Sequence, residues 1–146
     1  DWTKQNLTEE SKKFLRQLPI LRVEKYGSLT VQIVHGTPKN PLSEYLYLET
    51  VDKEFLDENF VNIPDILVVG HTHEPFVKET KRITVLNPGS VGQPRDGKNT
   101  ASYAVIDTDL PAATRYRVEY DVEKAAKNIQ ESGLPTDLAE RLRNGR

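Results

Sequence analysis

The chain has 146 residues, 36% of them hydrophobic and 29% charged, with a mean hydropathy of -0.60. That is the make-up of one folded domain, and it excludes a low-complexity disordered chain. Twenty Lys plus Arg against 22 Asp plus Glu leave a net charge of -2, which excludes strong non-specific nucleic-acid binding.

No cysteine or methionine occurs, so disulfides, zinc fingers, iron–sulfur clusters and thiol nucleophiles are ruled out. A reducing, cytoplasmic setting is expected, and the absence of an initiator methionine predicts that translation begins upstream of Asp1. No run of about 18 apolar residues exists, so no transmembrane helix and no membrane partner are expected.

Thr8, Glu9 and Glu10 precede Phe14, Leu15 and Leu18, and Pro19 follows. A cap, an acidic first turn, an apolar stripe and a stop predict a short helix. Ile20 to Tyr26 and Leu29 to Val34 are β-rich runs joined by Gly27-Ser28, which predicts antiparallel strands around a type II′ turn. The second strand empties His35 into a loop opening Gly36-Thr37-Pro38, a place where a side chain can do chemistry.

Apolar residues at Val51, Phe55, Leu56 and Phe60, ahead of Pro64, predict a second helix. Asp65 to Gly70 is an unalternating aliphatic run, the pattern of a strand buried on both faces with neighbours on both sides. It ends in His71-Thr72-His73. Phe76 to Lys78 and Ile83 to Leu86 predict two more strands, and Asn87 to Gly97 a long loop dense in turn residues. Ser102 to Ile106 and Thr114 to Tyr120 complete the strands. Asp121 caps a helix through Gln130, and Thr136 caps a last one reaching Arg143. With no repeat and no linker, residues 1–146 read as a single domain of mixed α/β (α+β) class.

All three histidines fall in two short segments, each where an apolar strand meets a glycine-containing loop. Taken singly, such a histidine is more often an ordinary hydrogen-bonded residue. The clustering turns the reading toward metal. The backbones of His71 and His73 lie roughly 6.6 Å apart along extended chain, so their rings can converge on one ion or serve two ions about 3.5–4 Å apart. Imidazole suits Zn, Mn, Fe, Co or Ni rather than Mg or Ca.

Gly70-His71-Thr72-His73, with His35-Gly36 upstream and Asn87-Pro88-Gly89-Ser90-Val91-Gly92-Gln93-Pro94-Arg95-Asp96-Gly97 downstream, resembles the C-terminal part of the calcineurin-like metallophosphoesterases, in their small bacterial and archaeal phosphodiesterase branch. The resemblance runs from the opening helix to the last one. It implies a four-layer α-β-β-α sandwich, incomplete here because the N-terminal βαβ units are missing. The family's Asp-x-His, Gly-Asp and Gly-Asn-His-Asp/Glu motifs are not in this sequence.

By the same resemblance, two divalent ions (Mn, Fe, Ni or Zn) sit at the strand ends, His35 and His71 ligate one, and His73 ligates the other. A metal-activated hydroxide then hydrolyses a phosphodiester or phosphomonoester, the substrate being a small phosphoester or a nucleotide. The histidines hold metal and are not the nucleophile, so no catalytic residue is assigned in this chain. Asn87 is expected to support the rim or meet substrate, and Arg95 to meet a phosphate oxygen.

Two divalent ions bring a charge of +4 that neutral imidazoles do not offset, so anionic oxygen ligands must come from the missing N-terminal segment, in the same or another chain. Glu74 follows His73 but reads as a surface charge. The chain alone is expected to bind at most one ion weakly and to be inactive. Arg95 and Asp96 also read as a local ion pair, and Tyr45, Tyr47, Tyr116 and Tyr120 as packing or surface aromatics. The alternatives are a non-catalytic protein-binding scaffold of the same fold and a self-standing metal-binding module. An open sheet edge would favour a homo-oligomer.

Overall fold

The computed structural model describes residues 2–109 and 112–146. The opening helical segment is split in two, α1 (Trp2–Asn6) and α2 (Glu9–Gln17). Thr8 caps α2 through its side chain, which accepts from the Ser11 N–H, as its place before two glutamates requires. The apolar stripe of α2 finds no partner: Phe14 is 61% and Leu15 49% exposed.

Strands β1 (Leu21–Tyr26) and β2 (Leu29–Val34) pair antiparallel with Tyr26 opposite Leu29. Gly27 takes φ +61° while Ser28 stays at negative φ, the combination of the expected type II′ turn. A short 3-10 turn (Leu48–Thr50) follows, then α3 (Lys53–Asn59), capped by the Asp52 side chain rather than starting at Val51.

The aliphatic run makes only a three-residue strand, β3 (Ile66–Val68), followed by β4 (Phe76–Glu79) and β5 (Thr84–Asn87). These five form one sheet in the order β1-β2-β3-β5-β4. β3 lies between β2 and β5, parallel to both, so the neighbours that its hydrophobicity demands come from this chain itself. β6 (Ala101–Asp107) and β7 (Ala112–Val118) form a separate antiparallel ribbon. α4 (Val122–Glu131) starts under the Asp121 side chain, and α5 (Thr136–Asn144) begins after Pro135 with no side-chain cap, so Thr136 is the first helical residue and not the cap.

Period-two alternation divides the sheet's apolar residues between its faces. Val34, Leu67, Val69, Phe76 and Val85 pack with Leu46, Val51 and Leu56 from the chain that leads into and through α3. Leu29, Val31 and Ile66 face the other way, with Val68, and meet Ile106 of the ribbon. Among the described residues no helix is long and apolar enough to cross a membrane.

Leu67 sits at the middle of the sheet with no exposed surface. Leu67→Ala is expected to lower stability by about 2–5 kcal/mol, since buried leucine truncation leaves a cavity. The shift of the urea midpoint at unchanged slope checks it.

Candidate metal centre

β2, β3 and β5 run parallel, so their C-terminal ends emerge at one edge of the sheet. That edge is where open α/β sheets place their ligands. His35 follows β2, the His71-Thr72-His73 turn lies just beyond β3, and Asn87 ends β5. Topology alone therefore brings both histidine segments and the long loop to a common rim.

The turn after β3 is tight. The Thr72 N–H donates to the Gly70 carbonyl at 2.7 Å around His71, and both His71 (φ +65°) and His73 (φ +61°) lie in the left-handed region. They are the only non-glycine residues at positive φ among the described residues. Such backbone costs of order 1–3 kcal/mol per residue and persists only where the surroundings over-determine it.

Asn87 supplies that constraint. Fully buried, it donates from Nδ2 to the Gly70 carbonyl and to Thr72 Oγ1, both at 2.9 Å, while its Oδ1 accepts from the Gly89 N–H at 2.8 Å. The amide ties the histidine turn to the Asn-Pro-Gly-Ser loop.

His35 Nε2 and His71 Nδ1 face each other at 2.9 Å. That is a hydrogen-bond distance between the two rings. Nitrogens about 2.0–2.1 Å from one tetrahedral ion stand about 3.3 Å apart, so the pair lies a few tenths of an ångström closer than two ligands of such an ion. Partial burial holds the His35 pKa below the ordinary imidazole value, and the nearby His71 and His73 lower it further. The neutral form so favoured is the one that binds metal.

His73 is seated separately. Its Nδ1 bonds the Gln93 carbonyl at 2.7 Å, leaving Nε2 as its remaining ligand atom. Metal-binding histidines are commonly oriented by such a carbonyl on the second nitrogen.

Glu74 is exposed. Arg95 is anchored through its backbone, whose N–H donates to the His73 carbonyl at 3.3 Å, while its exposed guanidinium pairs with no described side chain. The local Arg95–Asp96 pair is not formed, because Asp96 bonds Arg117 of β7 instead. Among the described residues no group of three histidine or carboxylate side chains encloses an ion. The described residues thus bring two imidazole nitrogens together at the rim with no carboxylate grouped among them.

Tyr45, which the sequence reads as a packing or surface aromatic, stands at the rim. Its ring stacks on His71 with centroids 4.0 Å apart and planes at 10°. No periodicity marks it; only its place after His35 and before the buried Leu46 hinted at the rim.

The fold and its rim have counterparts among known proteins. The calcineurin-like phosphoesterase superfamily domain matches residues 4–110. MJ0912 of Methanocaldococcus jannaschii is 40% identical over 162 aligned positions, covering 99% of this chain and 64% of that protein. Phosphodiesterase YfcE of Escherichia coli K12 is 46% identical over 50 residues, 34% of this chain and 27% of its own length. The crystal structure of a metallophosphoesterase from Sphaerobacter thermophilus matches with TM-score 0.79 and 30% identity, covering 99% of this chain and 65% of that one.

The class so defined is the α/β fold of the phosphoesterases. The chain belongs to the calcineurin-like phosphoesterase superfamily. It spans 64% and 65% of the lengths of the archaeal relative and the solved structure.

Removing the Asn87 side chain strands the Gly89 N–H and takes one partner each from the Gly70 carbonyl, which keeps the Thr72 N–H, and from the Thr72 hydroxyl, which keeps the Glu74 N–H. Asn87→Ala is expected to lower stability by about 1–3 kcal/mol, as a buried group left unpaired does, read as a urea midpoint. A methyl on Gly36 would approach the Asn40 carbonyl oxygen to 2.6 Å and that of Glu44 to 2.9 Å. Gly36→Ala should therefore cost about 1–3 kcal/mol through overpacking, seen as a lowered thermal midpoint.

Proposed function

We propose that this chain forms the imidazole part of a divalent-metal phosphoesterase centre, with His35 and His71 holding one ion and His73 a second. The observation that carries the reading is the His35–His71 nitrogen pair at 2.9 Å, presented by a strained turn that Asn87 clamps. Strain of that kind marks functional sites, and a protein-binding scaffold has no use for it.

When bound, a pair of divalent ions supplies Lewis-acid charge for phosphate oxygens and lowers the pKa of water. The chain's own contribution is to hold neutral imidazoles at a fixed separation, to keep the His73 ring aimed by the Gln93 carbonyl, and to set Arg95 beside the rim. The Arg95 guanidinium is placed to meet a non-bridging phosphate oxygen. No step in this chain moves a proton at phosphorus.

The reaction class is hydrolysis of a phosphodiester or phosphomonoester, and the substrate a small phosphoester or nucleotide; the similarity to the phosphodiesterase YfcE of E. coli supports the diester. Anionic oxygen ligands are supplied by polypeptide outside these residues, which three neutral imidazoles make necessary. A cytoplasmic setting completes the reading and rests on the cysteine-free sequence.

Titration with Mn or Zn, followed by calorimetry, tests this. The 146-residue chain should bind one ion weakly and turn over bis(p-nitrophenyl) phosphate little or not at all. His35→Ala and His71→Ala should each weaken that binding by about tenfold or more, in the range known for altered metal shells, and His73→Ala should leave it. Binding indifferent to His35 and His71 overturns the ligand assignment; brisk turnover by this chain overturns the half-site.

A further inference from the structure

The segment that leaves β2 folds back on itself immediately. The Gly36 N–H donates to the Pro41 carbonyl at 2.7 Å, the Thr37 N–H to the Asn40 carbonyl at 3.2 Å and the Asn40 N–H to Thr37 Oγ1 at 3.0 Å. The Thr37 hydroxyl also bonds the Glu44 carboxylate. Gly36 admits this fold because a Cβ there would collide with the returning backbone. Leu46 then enters the core, 3% exposed, and anchors the far end of the loop. Between these two anchors stands Tyr45, lying flat against the His71 imidazole, with Tyr47 stacked near it at 6.1 Å and 22°.

The two histidines of the turn differ in what orients them. The His73 ring is pinned by a hydrogen bond from its second nitrogen to a backbone carbonyl. His71 has no such partner: its one ring hydrogen bond among the described residues is the Nδ1 contact to His35 Nε2, the atoms proposed to share an ion. A backbone fixed at φ +65° places the Cβ of His71 but does not by itself set the broad terminal torsion of the ring, which the His35 contact holds at one edge only. What covers the face of that ring is Tyr45, at 4.0 Å and nearly parallel.

We infer that Tyr45 is a positioning residue for His71. It does by stacking what the Gln93 carbonyl does for His73 by hydrogen bonding, and so keeps Nδ1 turned toward His35. The inference deepens the metal reading above and rests on it for its functional meaning, although the orientation of His71 can be observed without metal.

The test uses Tyr45→Ala and Tyr45→Phe in the full chain with two readouts. Histidine ring resonances measured without metal report the stack directly, because a parallel aromatic ring shifts its neighbour's protons upfield. Cobalt(II) titration followed by visible absorption reports the ligand pair. Tyr45→Ala should move the His71 ring protons downfield, leave those of His73 in place and weaken cobalt binding about three- to tenfold, the range to which an aromatic pair's contribution converts. Tyr45→Phe, which keeps the ring, should restore both.

Tyr45 is 45% exposed, so an unchanged thermal midpoint is expected and separates positioning from unfolding. His71 resonances indifferent to Tyr45→Ala, or a failure of Tyr45→Phe to restore them, overturn the inference. Should the unaltered chain take up no cobalt while the His71 shift follows Tyr45, the positioning stands and the metal reading falls. Should cobalt bind the unaltered chain and Tyr45→Ala alike with no shift change, the metal reading stands and Tyr45 falls.

Discussion

The Asn87 carboxamide, sealed from solvent at the end of β5, gives both of its N–H groups to the turn beyond β3 and takes an N–H from its own loop. Those bonds join two segments that chain connectivity leaves apart. They also hold Thr72 between two histidines whose backbones are in the left-handed region, a conformation that would relax if the clamp were released. The backbone that carries His71 and His73 depends on this one buried amide.

Parallel pairing of β2, β3 and β5 is the second constraint. Parallel strands deliver their C-terminal ends to the same side, so a histidine after one and a histidine turn after the next become neighbours with no special loop geometry. The fold thereby gathers soft nitrogen donors at a rim while leaving carboxylates elsewhere: Glu74 faces solvent and Asp96 is taken by Arg117. Electrostatics then divides the labour, since imidazoles select transition metals but cannot compensate their charge.

Much of this was legible in residue order. Thr8 before two glutamates, Asp121 before an amphipathic run and Gly27-Ser28 between β-rich segments each state their local structure, because caps and turns depend on neighbours within a few residues. The aliphatic run before Gly70 announces a central strand because only a strand covered on both faces tolerates unbroken apolar sequence. The His-Thr-His and Asn-Pro-Gly-Ser segments were visible as segments. That Asn87 supports the rim was implied by the resemblance; which groups it bonds was not legible, since its partners lie 17 and 15 residues away. Tyr45 looked like any surface aromatic, because the property that distinguishes it is a ring 26 residues distant in sequence, at His71.

Sequence by itself determined the periodicities, the Thr8 and Asp121 caps, the absence of thiol chemistry and the identity of the three histidines, all of which are properties of local order and composition. Tertiary structure alone decided that β3 finds both its neighbours within this chain, that Asp96 pairs with Arg117, and that His71 is turned to His35 and flanked by Tyr45. The reason is range: a cap or a turn is satisfied by atoms a few bonds away, whereas ring orientation, strand order and ion pairing are set by groups that meet only after the sheet has closed.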